Sequence, residues 1–112
     1  MLFTIDGTVD ATGAVQVTMA GDFDLAAVEL VRDRMGSYLA LNEVSEVVAD
    51  LSAVTFLDSS GIGALIGCLR AADGHGKGFR VTNPQGRVRD VLELTNVLPL
   101  LTTGPTFPSA TT

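Results

Sequence analysis

The residues best placed to do chemistry are Asp58-Ser59-Ser60-Gly61-Ile62-Gly63, between an apolar, strand-like run ending near Leu57 and a helix-patterned run beginning at Ile62. Phosphoryl chemistry suits such a junction. A serine at a helix start stands beside unpaired backbone N–H groups and the positive end of the helix dipole, so its hydroxyl is accessible and a phosphate there is tolerated. The same residue types also serve a purely structural purpose, because Asp and Ser are preferred helix N-caps.

Other chemistries fit less well. A Ser-His-Asp hydrolase needs a histidine, and the only one, His75, lies in Asp73-Gly74-His75-Gly76-Lys77-Gly78, expected at the far end of the second helix from Ser59. The Gly-x-Ser-x-Gly elbow is missing as well. One His, one Cys and scattered carboxylates give no spacing suited to zinc. Gly61-Ile62-Gly63 is similar to a phosphate-cradling turn, but neither Gly-x-Gly-x-x-Gly nor a P-loop ending accompanies it. A non-enzymatic protein without cofactor or metal is the expectation. Asp22 and Asp24 follow one strand and Asp58 follows another, so the three can gather at one end of a sheet. There they would serve as caps and turn formers, or as a polar rim around the serine.

The elements that must position these residues can be read from periodicity. Leu2 to Ile5 and Ala14 to Ala20 read as an antiparallel strand pair, joined by a segment with Asp6-Gly7 and Thr12-Gly13. In the second strand Val15, Val17 and Met19 alternate with Gln16 and Thr18. Asp24 suits the N-cap of a helix from Leu25 to about Leu41, buried through Ala27, Val28, Val31, Met35, Tyr38 and Leu39. Glu46 to Leu51 is nearly continuously apolar, as in a central parallel strand.

In the second helix Ile62, Leu65, Ile66 and Leu69 are spaced to face the sheet. Ser60, Gly63 and Gly67 form a stripe of very small residues on another side. Interior glycine costs roughly 1 kcal/mol relative to Ala, so either a partner or a neighbouring helix of the same domain approaches the backbone there. Phe79 to Thr82 reads as a strand. Asn83 and Pro84 read as N-cap and first residue of a third helix, with Val88, Val91 and Leu92 inward and an end near Asn96. Val97 to Leu101 is expected as an edge strand that tolerates Pro99. Residues 1–102 then form one domain and 103–112 a loosely held tail. Successive strand-helix-strand connections call for an α/β fold with a mostly parallel sheet, made mixed by the first hairpin.

Composition bounds the partners. Thirteen acidic against seven basic residues leave a net charge of −6, which disfavours nucleic acid or an anionic membrane, since both require a basic face. With aromatics at 5% and no Trp, the core is expected to be built mainly from Val, Leu, Ile and Ala. The single Cys68 cannot form an internal disulfide and lies in an apolar helix pattern, as a buried thiol in a reducing compartment would. The N-terminus has no signal-like pattern and no run approaches the length of a membrane span, so a cytoplasmic location is expected.

The stretch from Val47 to Leu69, with Asp58-Ser59-Ser60-Gly61-Ile62-Gly63 at its centre, strongly resembles the signature of STAS domains of the anti-sigma factor antagonist type. Gly21-Asp22-Phe23-Asp24 resembles the Gly-x-Leu-Asp turn of that family, and the order of elements fits from about Leu2 to Leu101. The resemblance implies a four- or five-stranded sheet with helices mainly on one side. It implies a non-catalytic module that binds an anti-sigma factor with serine kinase activity, releases a sigma factor, and is switched off by phosphorylation of Ser59 and reset by a phosphatase. In that picture Ser60, Gly61 and Gly63 shape the contact, Gly67 extends it, and Asp22, Asp24 and Asp58 support it. The alternative is a stand-alone STAS subunit of a transport or scaffold assembly, in which the serine loop docks but is never phosphorylated.

Overall fold

The chain opens with a hairpin of β1 (Thr4–Val9) and β2 (Ala14–Phe23), followed by α1 (Leu25–Leu39), β3 (Glu46–Leu57) and α2 (Ser59–Gly74). It continues with β4 (Gly78–Thr82), α3 (Gly86–Leu94) and α4 (Leu98–Thr102). This computed structural model describes residues 2–102, so the tail assigned to 103–112 lies outside the described residues. The strands lie in the order β1-β2-β3-β4; the first pair is antiparallel and the other two are parallel.

Alternation along the strands determines which face is covered. Val15, Val17, Met19 and Phe23 of β2, Val47, Ala49 and Leu51 of β3, and Phe79 and Val81 of β4 are buried in one cluster. Ala27, Val31, Met35 and Leu39 of α1 join it, as do Leu65, Cys68, Leu69 and Ala72 of α2, Val88 and Leu92 of α3, and Leu98 and Leu101 of α4. Gln16 and Thr18, on the other face of β2, are exposed. The helices therefore cover one side of the sheet, as period-two burial requires.

Several boundaries differ from the sequence reading. β1 runs through Asp6-Gly7, which had looked like a turn; the chain reverses instead at Asp10 to Gly13, where Asp10 Oδ1 accepts from the Thr12 N–H at 2.8 Å and the Ala14 N–H at 3.2 Å. Those hydrogen bonds hold the Asp10 carboxyl below its usual range, the Thr12 hydroxyl contributing most. β2 continues past Gly21, which takes φ +95 at a register shift and lies against the Leu2 backbone, a conformation that favours glycine. In α1, Val28 and Tyr38 are only half-buried, and the helix stops at Leu39.

The C-terminal third carries two larger corrections. Asn83 is not an N-cap: it sits at φ +56, Pro84 is buried outside the helix, and α3 starts only after Gln85. The expected fifth strand, Val97 to Leu101, is the short helix α4. Pro99 is its second residue, a position whose N–H has no intrahelical partner, so the ring costs the helix nothing. Leu98 and Leu101, three apart, both reach the core. The sheet thus has four strands.

The two long helices are tied together at their C-terminal ends. Lys77 Nζ donates to the carbonyls of Leu39 at 2.7 Å and Leu41 at 2.6 Å, beside the negative end of the α1 dipole. The loop after α2 is thereby fixed to the end of α1. Lys77→Met is expected to lower stability in urea denaturation by about 1–2 kcal/mol. A change within error would mean that water satisfies those carbonyls equally well.

Candidate functional site

The site is created by strand register. β2 and β3 end level, with Phe23 opposite Leu57, and each runs into a helix through an aspartate with extended backbone. Asp24 Oδ1 accepts from the Ala26 N–H at 3.1 Å. Asp58 Oδ1 accepts from the N–H groups of Ser60 at 2.9 Å and Gly61 at 3.2 Å. Both are N-caps in the strict sense, satisfying donors that a helix start leaves unpaired. Asp22, just before Phe23, accepts from the Thr55 hydroxyl at 3.3 Å across the β2–β3 pair. The three aspartates stand at one end of the sheet, as the sequence suggested, and each is engaged with its local backbone or neighbouring strand. Among the described residues no three acidic, His or Cys groups are arranged to hold a metal.

Asp58 determines what is left for Ser59. Since the carboxylate does the capping, α2 begins at Ser59 rather than at Ile62, and Ser59 is exposed with its hydroxyl in no hydrogen bond among the described residues. Ser60 is half-buried, and its N–H is held by Asp58. His75 caps the opposite end of the 16-residue α2, a separation of roughly 24 Å along the axis. Its Nδ1 lies 2.9 Å from the Ala71 carbonyl. Ser59 and His75 cannot meet.

Two exposed apolar residues at the same end of the sheet were missed in the sequence. Leu25, the first residue of α1 as Ser59 is of α2, is 73% exposed, and Phe56 on β3 is 48% exposed. The available signal was that Leu25 falls outside the Ala27, Val31, Met35 spacing.

The glycines of α2 have opposite roles. Gly61 is buried, and a Cβ there would stand 2.5 Å from Leu57 Cδ1 and 2.6 Å from the Phe23 carbonyl oxygen. It lets the first turn of α2 pack onto the ends of β2 and β3, so its missing side chain serves the fold. Gly63 and Gly67 are exposed, and among the described residues nothing beyond their own helical turn lies within 4 Å of an added Cβ. Packing against a neighbouring helix therefore does not explain them. The buried side of α2 is Gly61, Leu65, Cys68, Leu69 and Ala72, with Ile62 and Ile66 only half-buried, because the helix leans toward α1 as well as the sheet. Burial pushes the Cys68 thiol up to about 12, so it stays protonated at neutral pH.

The glycine contrast can be tested directly by thermal unfolding. Gly63→Ala is expected to raise stability by about 1 kcal/mol. Gly61→Ala is expected to lower it by about 1–3 kcal/mol, through overpacking. Equal effects would contradict the difference in packing. For the cap, Asp58→Ala should cost about 0.5–2 kcal/mol while Asp58→Asn keeps most of it; an equal loss in both would assign the effect to charge.

The STAS domain family pattern matches residues 3–110. An anti-sigma F factor antagonist of Lysinibacillus sphaericus is 26% identical over 85 residues, covering 76% of this chain and 73% of that protein. The phosphorylated form of SpoIIAA, a Bacillus cell fate determinant, shares the fold with a TM-score of 0.66 at 22% identity, over 88% of each chain. A murine anion transporter of the solute carrier 26 family shares it at 0.69 and 21% identity, over 80% of this chain and 15% of the transporter. With the family pattern matched over nearly its whole length, and with a four-stranded mixed sheet that presents a serine at the start of its second helix, this chain belongs to the STAS domain family.

Proposed function

We propose that the chain is an anti-sigma factor antagonist, a cytoplasmic binding module that regulates transcription through phosphorylation of Ser59. The observation that carries this reading is the state of Ser59, exposed at the first position of α2 with its hydroxyl in no hydrogen bond among the described residues. Unphosphorylated, the domain would bind an anti-sigma factor that is also an ATP-dependent serine kinase, and a sigma factor would be released. Ser59 Oγ would then attack the γ-phosphorus of ATP; ADP leaves, and the hydroxyl proton passes to a base of the kinase. Hydrolysis of the phosphoserine by a phosphatase returns the hydroxyl and inorganic phosphate. The antagonist name of the Lysinibacillus relative supports the class of partner.

Physical chemistry supports a switch at the surface. A phosphate adds about −1.5 to −2 charge at neutral pH, and a helix start tolerates it. The carboxylates of Asp22, Asp24 and Asp58 stand at the same end of the sheet, so the added charge would deepen an existing acidic rim. A partner surface fitted to the exposed Leu25 and Phe56, to Ser60, and to the open backbone at Gly63 and Gly67 would meet bulk and like charge where it had met a hydroxyl.

A second reading is favoured by the likeness to part of an anion transporter: a STAS subunit that docks to a transport or scaffold assembly without phosphorylation. No described helix is long and apolar enough to cross a membrane, so such a subunit would act through contact with its assembly.

Incubation with the cognate kinase and ATP separates the two. One phosphate is expected, on Ser59, located by mass spectrometry. Calorimetric titration of the kinase should show binding by Ser59→Ala and weak binding by Ser59→Asp. Phosphate on Ser60 alone would move the site by one residue. Tight binding by Ser59→Asp would overturn the switch, and absence of modification by any kinase of the host would favour the docking subunit.

A further inference from the structure

The helical layer is open along one line. Between α1 and α2 runs a groove of about 430 Å3, within the size range of small-ligand sites. Its floor includes the buried apolar side chains of Val31, Met35, Leu39 and Cys68. Its walls are low because Gly36, Gly63 and Gly67 line it with nothing within 4 Å of an added Cβ. Along α1 the lining runs from Val28 to Leu39, about 16 Å at the helical rise.

The electrostatics of this groove differ from those of the rest of the molecule. In a chain of net charge −6, Arg32 is the one Lys, Arg, Asp or Glu among the residues lining the groove. Its guanidinium makes no hydrogen bond or ion pair among the described residues, even with its helix neighbours Glu29 and Asp33. His75, the other polar group, lines the groove near the C-terminal end of α2 and is already set against the Ala71 carbonyl. An apolar trough with one unpaired cation on its wall complements a molecule with a hydrocarbon chain and a single anionic head. The two helices touch each other, so their axes lie about 8–10 Å apart, and a partner helix about 10–12 Å wide would reach into the groove only with its side chains. An alkyl chain can lie along it.

We propose that the α1–α2 groove binds a medium-chain alkyl carboxylate, with its carboxylate on the Arg32 guanidinium and its chain along Met35, Gly67 and Cys68 toward Leu39. Arginine suits this task, since its planar fork pairs with a carboxylate through two parallel hydrogen bonds. The groove shares Gly63 and Gly67 with the proposed partner surface but not Ser59, which does not line it.

Decanoate, below its micellar concentration, is the probe for titration calorimetry on the whole chain. Saturable binding at one site is expected, weakened about tenfold or more by Arg32→Ala. Decanol should bind the native chain no better than decanoate binds Arg32→Ala. Gly67→Leu, which fills the trough, should abolish binding while circular dichroism and the unfolding temperature show an intact fold, and Ser59→Ala should bind as the native chain does. No saturable binding up to the micellar limit overturns the proposal, as does binding indifferent to both Arg32→Ala and Gly67→Leu. Loss of partner-protein binding in Gly67→Leu, with no decanoate binding by the native chain, would assign the groove to the protein interface instead.

Discussion

Parallel pairing of β2 and β3 ends with Phe23 opposite Leu57, and each of these buried residues is followed at once by an aspartate that starts a helix. Much of the functional end of the molecule depends on that level finish. It starts α1 and α2 from the same edge of the sheet and places Leu25 and Ser59 at equivalent first positions of neighbouring helices. It also brings the aspartates to one rim. A slip of one residue in the pairing would turn the alternating side chains of one strand to the wrong face, so the apolar core that favours this register also holds the serine in place.

Within α2, position decides whether a glycine serves the fold or leaves the surface open. At Gly61 the backbone must pass close to the Phe23 carbonyl, and a methyl group has no room. Two and six residues later, at Gly63 and Gly67, there is space for a Cβ. An interior glycine without a packing reason is a cost in helix propensity, and here that cost opens the backbone of α2 to whatever lies beside α1. The cavity geometry and Arg32, which has no partner among the described residues, give that opening a chemical character distinct from the acidic rim at the start of the helix.

The capping arrangement also bears on how a charge added at Ser59 would act. Asp58 occupies the Ser60 and Gly61 donors, so the first turn of α2 is held without help from the serine side chain. A modification of that side chain leaves the cap intact. Its effect falls on the surface, where exposed Leu25 and Phe56 lie among carboxylates, a mixture in which apolar contact favours a partner and added negative charge opposes it.

Much of this was legible in the sequence because the signals are local. The alternation of Val15, Val17 and Met19 defines a strand with one face on a core, Asp24 before an apolar period of 3.6 defines a helix start, and Asp58-Ser59-Ser60 marks a second one. The STAS resemblance rested on the same short segments. What the sequence could not decide depends on groups distant along the chain. Gly7 reads as a turn residue, yet it lies within β1, where the Tyr38 ring packs over its backbone. The run Val97 to Leu101 has the composition of a strand, and it becomes helix because Leu98 and Leu101, three residues apart, both reach the core. Gly61 and Gly63 are indistinguishable as letters; two residues apart on α2 they face opposite sides, and only assembly of the sheet puts the ends of β2 and β3 against the Gly61 side. Propensity and capping act over a few residues, whereas packing space is set by whichever distant segments the register brings alongside, and that is decided only when the sheet is assembled.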